Sequence, residues 1–271
     1  MSDADRVIPD LIFADDDEGE LHLDLYLPPS SDAPFPTIMH IPVGGWRASN
    51  RVNLRPQFAA HDFTRHGFAV AVVDCRVTPE AIAPATVFDA KAGIRWLRAH
   101  AGTYGFDADR IGTCGRSAGG HLSALLAVTG DLADLEGARG NAGFSTAVQA
   151  AVDQCGPSDL ERMADPELAA QSRVLQEVTD NFVGGATAEH RELARRVSPL
   201  HHVSASCPPM LILHGEIDPT VPVEESLIFH DALISAGVDS TLDVLPGIEH
   251  GWDWGLTHDR IVGFFERTLK A

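Results

Sequence analysis

Three polar residues, far apart in the chain, have the types and settings needed for nucleophilic chemistry. Ser117 is the centre of Gly115-Arg116-Ser117-Ala118-Gly119, with a further glycine at Gly120. The residues before it, 110–114, read as a strand, and those after it put Ala118, Leu122, Leu125 and Leu126 on one helical face. A serine in such a sharp strand-to-helix turn is lifted above the carboxyl edge of a sheet, where only small neighbours fit. The helix behind it supplies a positive dipole end and free N–H groups. A serine hydroxyl is a weak nucleophile near neutral pH and needs an adjacent base held by an acid.

The remaining parts lie downstream. Asp218 follows the apolar run Met210-Leu211-Ile212-Leu213, in His214-Gly215-Glu216-Ile217-Asp218. His250 follows the strand-like run 240–245, in Gly247-Ile248-Glu249-His250-Gly251-Trp252. Each of the three thus lies at the carboxyl end of an expected strand, where open α/β sheets place their sites. Glu216 competes with Asp218 for the acid role, and Asp218 is favoured. With 13 histidines in the chain, position singles out His250; His121, His201 and His202 read as packing or surface residues. No H-E-x-x-H or comparable spacing occurs, so no metal is assigned. An oxyanion intermediate also needs donors: the Ala118 amide, and amides from Pro42-Val43-Gly44-Gly45-Trp46, which follows another strand-like run. An ordinary glycine turn is the alternative for that loop.

Strand-like runs at 21–27, 36–41, 68–74, 110–115, 148–155, 209–215 and 240–245 must carry these loops. The runs at 68–73 and 210–213 are continuously apolar, as strands covered on both faces of a parallel sheet are. Between the third and fourth runs, Val87, Ala90, Ile94, Leu97 and Ala101 form one helical stripe that ends near Gly102. Pro84 precedes that helix, and Thr86 with Asp89 suggests a capping box. Strands alternating with such helices predict an α/β protein: a mostly parallel, doubly wound sheet in a single domain over 1–271. Residues 157–207 hold no convincing strand. They read as a small helical, cap-like excursion over the site, or else as a long crossover connection.

The composition excludes several functions. With 20 basic and 39 acidic residues, the net charge of −19 repels phosphate backbones, so no nucleic acid is expected as a partner. No apolar run approaches the ~20 residues needed to span a bilayer, so no membrane partner is expected either. Cys75, Cys114, Cys155 and Cys207 show no paired or metal-ligand spacing. The segment starting Met1-Ser2-Asp3-Ala4-Asp5-Arg6 lacks the features of a signal peptide, which makes the cytoplasm the expected compartment.

Together these stretches resemble the α/β-hydrolase fold carboxylesterases, similar to the acetylesterase and feruloyl-esterase-like group and related to the hormone-sensitive-lipase branch. The likeness runs from Leu23-Asp24-Leu25-Tyr26-Leu27-Pro28 through Val43-Gly44-Gly45-Trp46-Arg47, Gly115 to Leu122, Gly156-Pro157-Ser158-Asp159-Leu160 and His214 to Pro222, ending at His250-Gly251-Trp252. It implies a triad of Ser117, Asp218 and His250, with an oxyanion hole from the amides of Gly44, Gly45 and Ala118. The sequence departs from the family where a histidine and three glycines are usual and Pro42-Val43-Gly44-Gly45 stands instead. Arg116 is also bulkier and more charged than the residue usual at the elbow.

The expected activity is hydrolysis of a small-molecule ester, with a short acyl or an aryl group, through an acyl-enzyme and without a cofactor. An amidase such as an arylformamidase, a small serine peptidase on the same triad, and a catalytically silent small-ligand binder are the rival readings. Trp46, Trp252 and Trp254 flank the expected oxyanion loop and base; Trp46 and Trp252 above all are candidates for binding an aromatic or sugar group, with simple packing as the alternative. Oligomeric state is not legible from the sequence.

Overall fold

A computed structural model describes residues 6–29, 33–49, 51 and 60–270. In chain order its elements begin with β1 (Arg6–Asp16), β2 (Gly19–Leu27) and β3 (Phe35–Ile41). A small hairpin follows, β4 (Val43–Gly44) with β5 (Ala48–Ser49), and then α1 (Ala60–Arg65) and β6 (Ala69–Val73). Next come α2 (Ala85–Ala99), α3 (Ala101–Tyr104), β7 (Phe106–Arg116), α4 (Ala118–Val128) and β8 (Ala150–Gln154). The excursion holds α5 (Pro166–Ala169), α6 (Arg173–Val183) and α7 (Arg191–Arg196). The chain then runs through β9 (Met210–Gly215), α8 (Glu224–Ser235), β10 (Ser240–Leu245) and α9 (His258–Leu269). The reading of residues 1–5 lies outside the described residues.

Eight strands form one sheet in the order β1-β2-β6-β3-β7-β8-β9-β10. The β1–β2 and β2–β6 pairs are antiparallel, and every later pair is parallel. The parallel core is covered on both faces, which is why its strands carry continuous apolar runs: all residues of β3, β6, β8 and β9 are buried. Adjacent residues feed opposite cores. Met39, Ala71 and Ile212 pack with α2 and α4 on one face, whereas Ile38, Val70 and Leu211 pack with Phe264 and Phe265 of α9 on the other.

Two expectations need correction. The edge strand β1 is absent from the sequence reading, because it is mostly exposed, carries Pro9 and is bulged against β2, which blurs the alternation of a strand. The capping box at Thr86 and Asp89 does not form, and α2 starts from Pro84 with no side-chain cap. The Thr86 hydroxyl instead donates to the Arg76 carbonyl at 2.8 Å, and the Asp89 carboxylate accepts from the Arg76 amide at 2.8 Å. Asp89 is fully buried between Arg76 and Arg139, so tertiary charge pairing takes the side chain that local capping would use. The apolar stripe is as expected, with Val87, Ala90, Ile94 and Leu97 fully buried.

Candidate active site

Ser117 occupies the turn between β7 and α4 with φ of 56° and ψ of −121°. A non-glycine residue there is strained by about 1–3 kcal/mol, which surrounding structure must enforce. The enforcement is backbone packing. A Cβ on Gly115 would lie 2.2 Å from the Gly119 carbonyl oxygen, and one on Gly119 would lie 2.2 Å from the Ile41 carbonyl oxygen. The glycines therefore let the turn, the helix start and the end of β3 close on one another. The Ser117 amide donates to the Gln154 carbonyl at 2.7 Å, and the His121 amide to the Ser117 carbonyl at 2.9 Å.

His250 reaches this serine from the loop after β10. Its Nε2 is 2.9 Å from Ser117 Oγ, and its Nδ1 is 2.6 Å from Asp218 Oδ2. Asp218 lies in the loop after β9, where its Oδ1 accepts from the Thr220 and Val221 amides at 2.8 and 2.9 Å. Burial alone would raise the Asp218 carboxyl, but hydrogen bonds from His214, His250 and the Val221 amide outweigh it and hold the group well below the usual carboxylate range. An ionised Asp218 can only accept, so His250 Nδ1 carries the proton and Nε2 offers its lone pair to the serine hydroxyl. Glu216 turns elsewhere and accepts from the Gly247 amide at 2.8 Å.

His214, at the end of β9, lies beneath this chain of bonds and escaped the sequence reading. Its Nε2 donates to the Val221 carbonyl at 2.9 Å and lies 3.4 Å from Asp218 Oδ2, while its Nδ1 accepts from Ser226 Oγ at 2.6 Å. Its position four residues before Asp218 was the available signal. His121 is a packing residue as expected: it is fully buried, accepts from Trp46 Nε1 at 3.2 Å and donates to the Val197 carbonyl at 2.7 Å.

The loop after β3 forms the β4–β5 hairpin. Gly45 and Trp46 both have positive φ, 53° and 51°, and the Arg47 amide closes the turn on the Gly44 carbonyl at 3.0 Å. A cavity of about 190 Å³ lies between this turn and the elbow, with Gly45, Ala118, Ser117 and His250 on its wall. Its roof is α6, through Val174, Leu175 and Val178. Trp46 also lines it, although its ring is 1% exposed and stacks on Phe182 of α6 at 4.6 Å. Gly44 and Trp252 are not among its lining residues. Trp252 instead donates from Nε1 to Thr257 Oγ1 at 3.0 Å and carries the Arg116 guanidinium over its ring.

The roof is tied down at its start and again at its middle. Ser172 caps α6 by accepting from the Leu175 amide at 3.0 Å, and its hydroxyl also donates to the Thr220 carbonyl at 2.6 Å. Arg47 of the hairpin pairs with Glu177 of α6 at 3.0 Å. Beyond the cavity, Asp159, Glu161 and His201 bring donor atoms within 4.8 Å of one another, but Glu161 faces Arg195 at 3.2 Å as an ordinary ion pair.

Known proteins share this arrangement of chain. Esterase LipC of Mycobacterium tuberculosis is 32% identical over 222 residues, covering 81% of this chain and 54% of its own. The chain spans about half the length of this relative and of two others from the same organism, LipM and LipQ. A truncated form of a carbohydrate esterase from gut microbiota superposes with a TM-score of 0.87 at 28% identity, covering 100% of this chain and 99% of that one. The esterase Est2 of the Planctomycetes species Thermogutta terrifontis gives a TM-score of 0.78 at 28% identity over 97% of this chain and 92% of that one. The doubly wound sheet is thus the α/β-hydrolase fold expected from the sequence. A sequence profile of the BD-FAE family matches residues 23–233, and the chain belongs to that family.

Proposed function

We propose that the chain is a serine carboxylesterase that hydrolyses short-acyl or aryl esters through an acyl-enzyme. The observation that carries this reading is the continuous line of hydrogen bonds from Asp218 through His250 to Ser117, at 2.6 and 2.9 Å. In this reading Ser117 attacks the ester carbonyl while His250 Nε2 takes its proton, and Asp218 stabilises the resulting imidazolium. The oxyanion is held by the amides of Ala118, Gly45 and Gly44; the first two flank the cavity beside the serine. The protonated His250 gives its proton to the leaving alcohol. Water then attacks the acyl-enzyme with His250 again as base, and the acid departs.

The cavity supports a small acyl group, since Val178 and Leu175 of α6 close it within about 190 Å³. Structures of the Thermogutta terrifontis esterase with propionate and with butyrate bound support the same size class, and the same protein phosphonylated by sarin supports a nucleophile in such a site. Residues 157–207 act in this reading as a cap-like roof within a single hydrolase domain. Among the described residues no helix is long and apolar enough to cross a membrane. Four free cysteines fit a reducing compartment such as the cytoplasm.

The test is Ser117→Ala on purified protein, assayed with p-nitrophenyl acetate and with a fluorophosphonate probe. Turnover should fall by about 10³-fold or more, and the probe's mass should be lost from the intact protein. Near-wild-type hydrolysis by this variant would overturn the assignment. Faster cleavage of a formyl-anilide than of the matched ester would move the chain to the amidases.

A further inference from the structure

Arg116 is the one charged residue of the elbow, and the proposed chemistry does not use it. It ends β7, directly before the nucleophile. In a chain with 39 acidic and 20 basic residues, an arginine readily finds a carboxylate, and Arg51, Arg76 and Arg139 each do. Among the described residues Arg116 meets none. Its Cζ lies 5.0 Å from the centre of the Trp252 ring, within cation–π range. Its Nη1 lies 3.9 Å from the point where a Cβ on Gly251 would stand, so the guanidinium also covers the backbone immediately after His250.

The loop that carries His250 is anchored upstream by the Ile217 amide, which donates to the Ile248 carbonyl at 3.0 Å. Downstream, Gly251 adopts a φ of 115°, and Trp252 donates to Thr257, a fully buried residue at the start of α9. The indole is thereby fixed along its edge by Thr257 and on its face by Arg116. A guanidinium one residue from Ser117 thus grips a ring two residues from His250.

We propose that Arg116 is a positioning residue: by holding the Trp252 ring it fixes the loop of His250 at bonding distance from Ser117. The inference rests on the esterase reading above and makes Trp252 a loop anchor instead of a substrate contact. It explains why a long cation is tolerated in the middle of a crowded elbow.

The experiment uses the full chain with R116Q, R116K, W252L and the R116Q/W252L pair, beside wild type and S117A, with p-nitrophenyl acetate kinetics and fluorophosphonate labelling rates. R116Q and W252L should each lower kcat and the labelling rate by about fivefold to tenfold with KM changed less than about twofold, and R116K should recover most of the loss. The pair should be no slower than either single variant, since both remove one contact. W252L leaves Arg116 in place and reads the same contact from the other side, so a misfolded R116Q does not end the test. Wild-type kcat in both single variants, fully additive losses in the pair, or a KM effect from W252L larger than its kcat effect would each overturn the inference. A wild-type chain that neither hydrolyses the ester nor takes the label overturns the esterase reading and this inference together.

Discussion

The elbow around Ser117 and the roof made by α6 face each other across one small cavity, yet they are held by different forces. At the elbow backbone meets backbone: the Gly115 and Gly119 positions leave no room for a methyl group, and Ser117 keeps a left-handed φ because its surroundings allow nothing else. At the roof side chains decide: Leu175 and Val178 fill the cavity from above, and an exposed ion pair, Arg47 with Glu177, crosses its rim. Exposed pairs of that kind contribute ~0–1 kcal/mol and are screened by salt. The elbow therefore tolerates almost no change in sequence, whereas the roof can change one side chain at a time.

The largest effect expected from this contrast is at Gly119. Gly119→Ala puts a methyl group into the Ile41 carbonyl, so β3 and α4 must part; kcat/KM should fall by about 10³-fold or more, with unfolding at lower denaturant. An alanine variant with normal kinetics would show that the elbow is looser than its contacts imply. At the roof the expected effect is redistribution. Val178→Ala should raise the ratio of kcat/KM for p-nitrophenyl hexanoate over acetate by about tenfold, at a cost of roughly 1 kcal/mol in stability. An unchanged ratio would remove α6 from substrate selection.

The smallest effect lies below the elbow, at Asp153. This side chain is 1% exposed, accepts from the Gly156 amide at 2.8 Å and would lie 2.4 Å from a Cβ on Gly120. Burial pushes its carboxyl up to about 7, against weaker opposing pulls from the Gly156 amide and His214. Because the folded chain keeps this proton to higher pH than the unfolded chain, its contribution to stability is full below about pH 4 and is lost as pH rises through 7. Asp153→Asn has no such loss, so its Tm measured against wild type should gain by several degrees between pH 4 and pH 8. A gap that stays constant across that window would mean Asp153 is ionised throughout.

How much of this was legible in the sequence follows the same divide. The elbow is a contiguous motif whose strand, turn and helix lie in one stretch of chain, so Ser117 and Ala118 could be read directly. Asp218 and His250 could be read because each follows an apolar run, and open sheets gather such loops at one edge. The sequence favours Asp218 over Glu216, and the loop turns the two carboxylates apart, Asp218 to His250 and Glu216 to the Gly247 amide. The roof was legible as an excursion and no further. Its helix α6 owes its place to Phe182 stacking on Trp46 and to Ser172 reaching Thr220, contacts between segments that share no local pattern. Arg116 failed for the same reason: its partner lies 136 residues downstream, by the numbering of the two residues, and an indole face has no charge to give it away. The capping box failed because Thr86 and Asp89 satisfy a local rule that a buried arginine overrides.

The indole of Trp46 is wedged between α4 and α6, bonded to His121 and stacked on Phe182. It follows that the protein carries its own optical probe of whether roof and elbow stay together. While they do, this chromophore is dry beneath a neighbouring ring. If the helix lifts to admit a bulky ligand, the same chromophore meets solvent and its emission moves to longer wavelength, with no label attached.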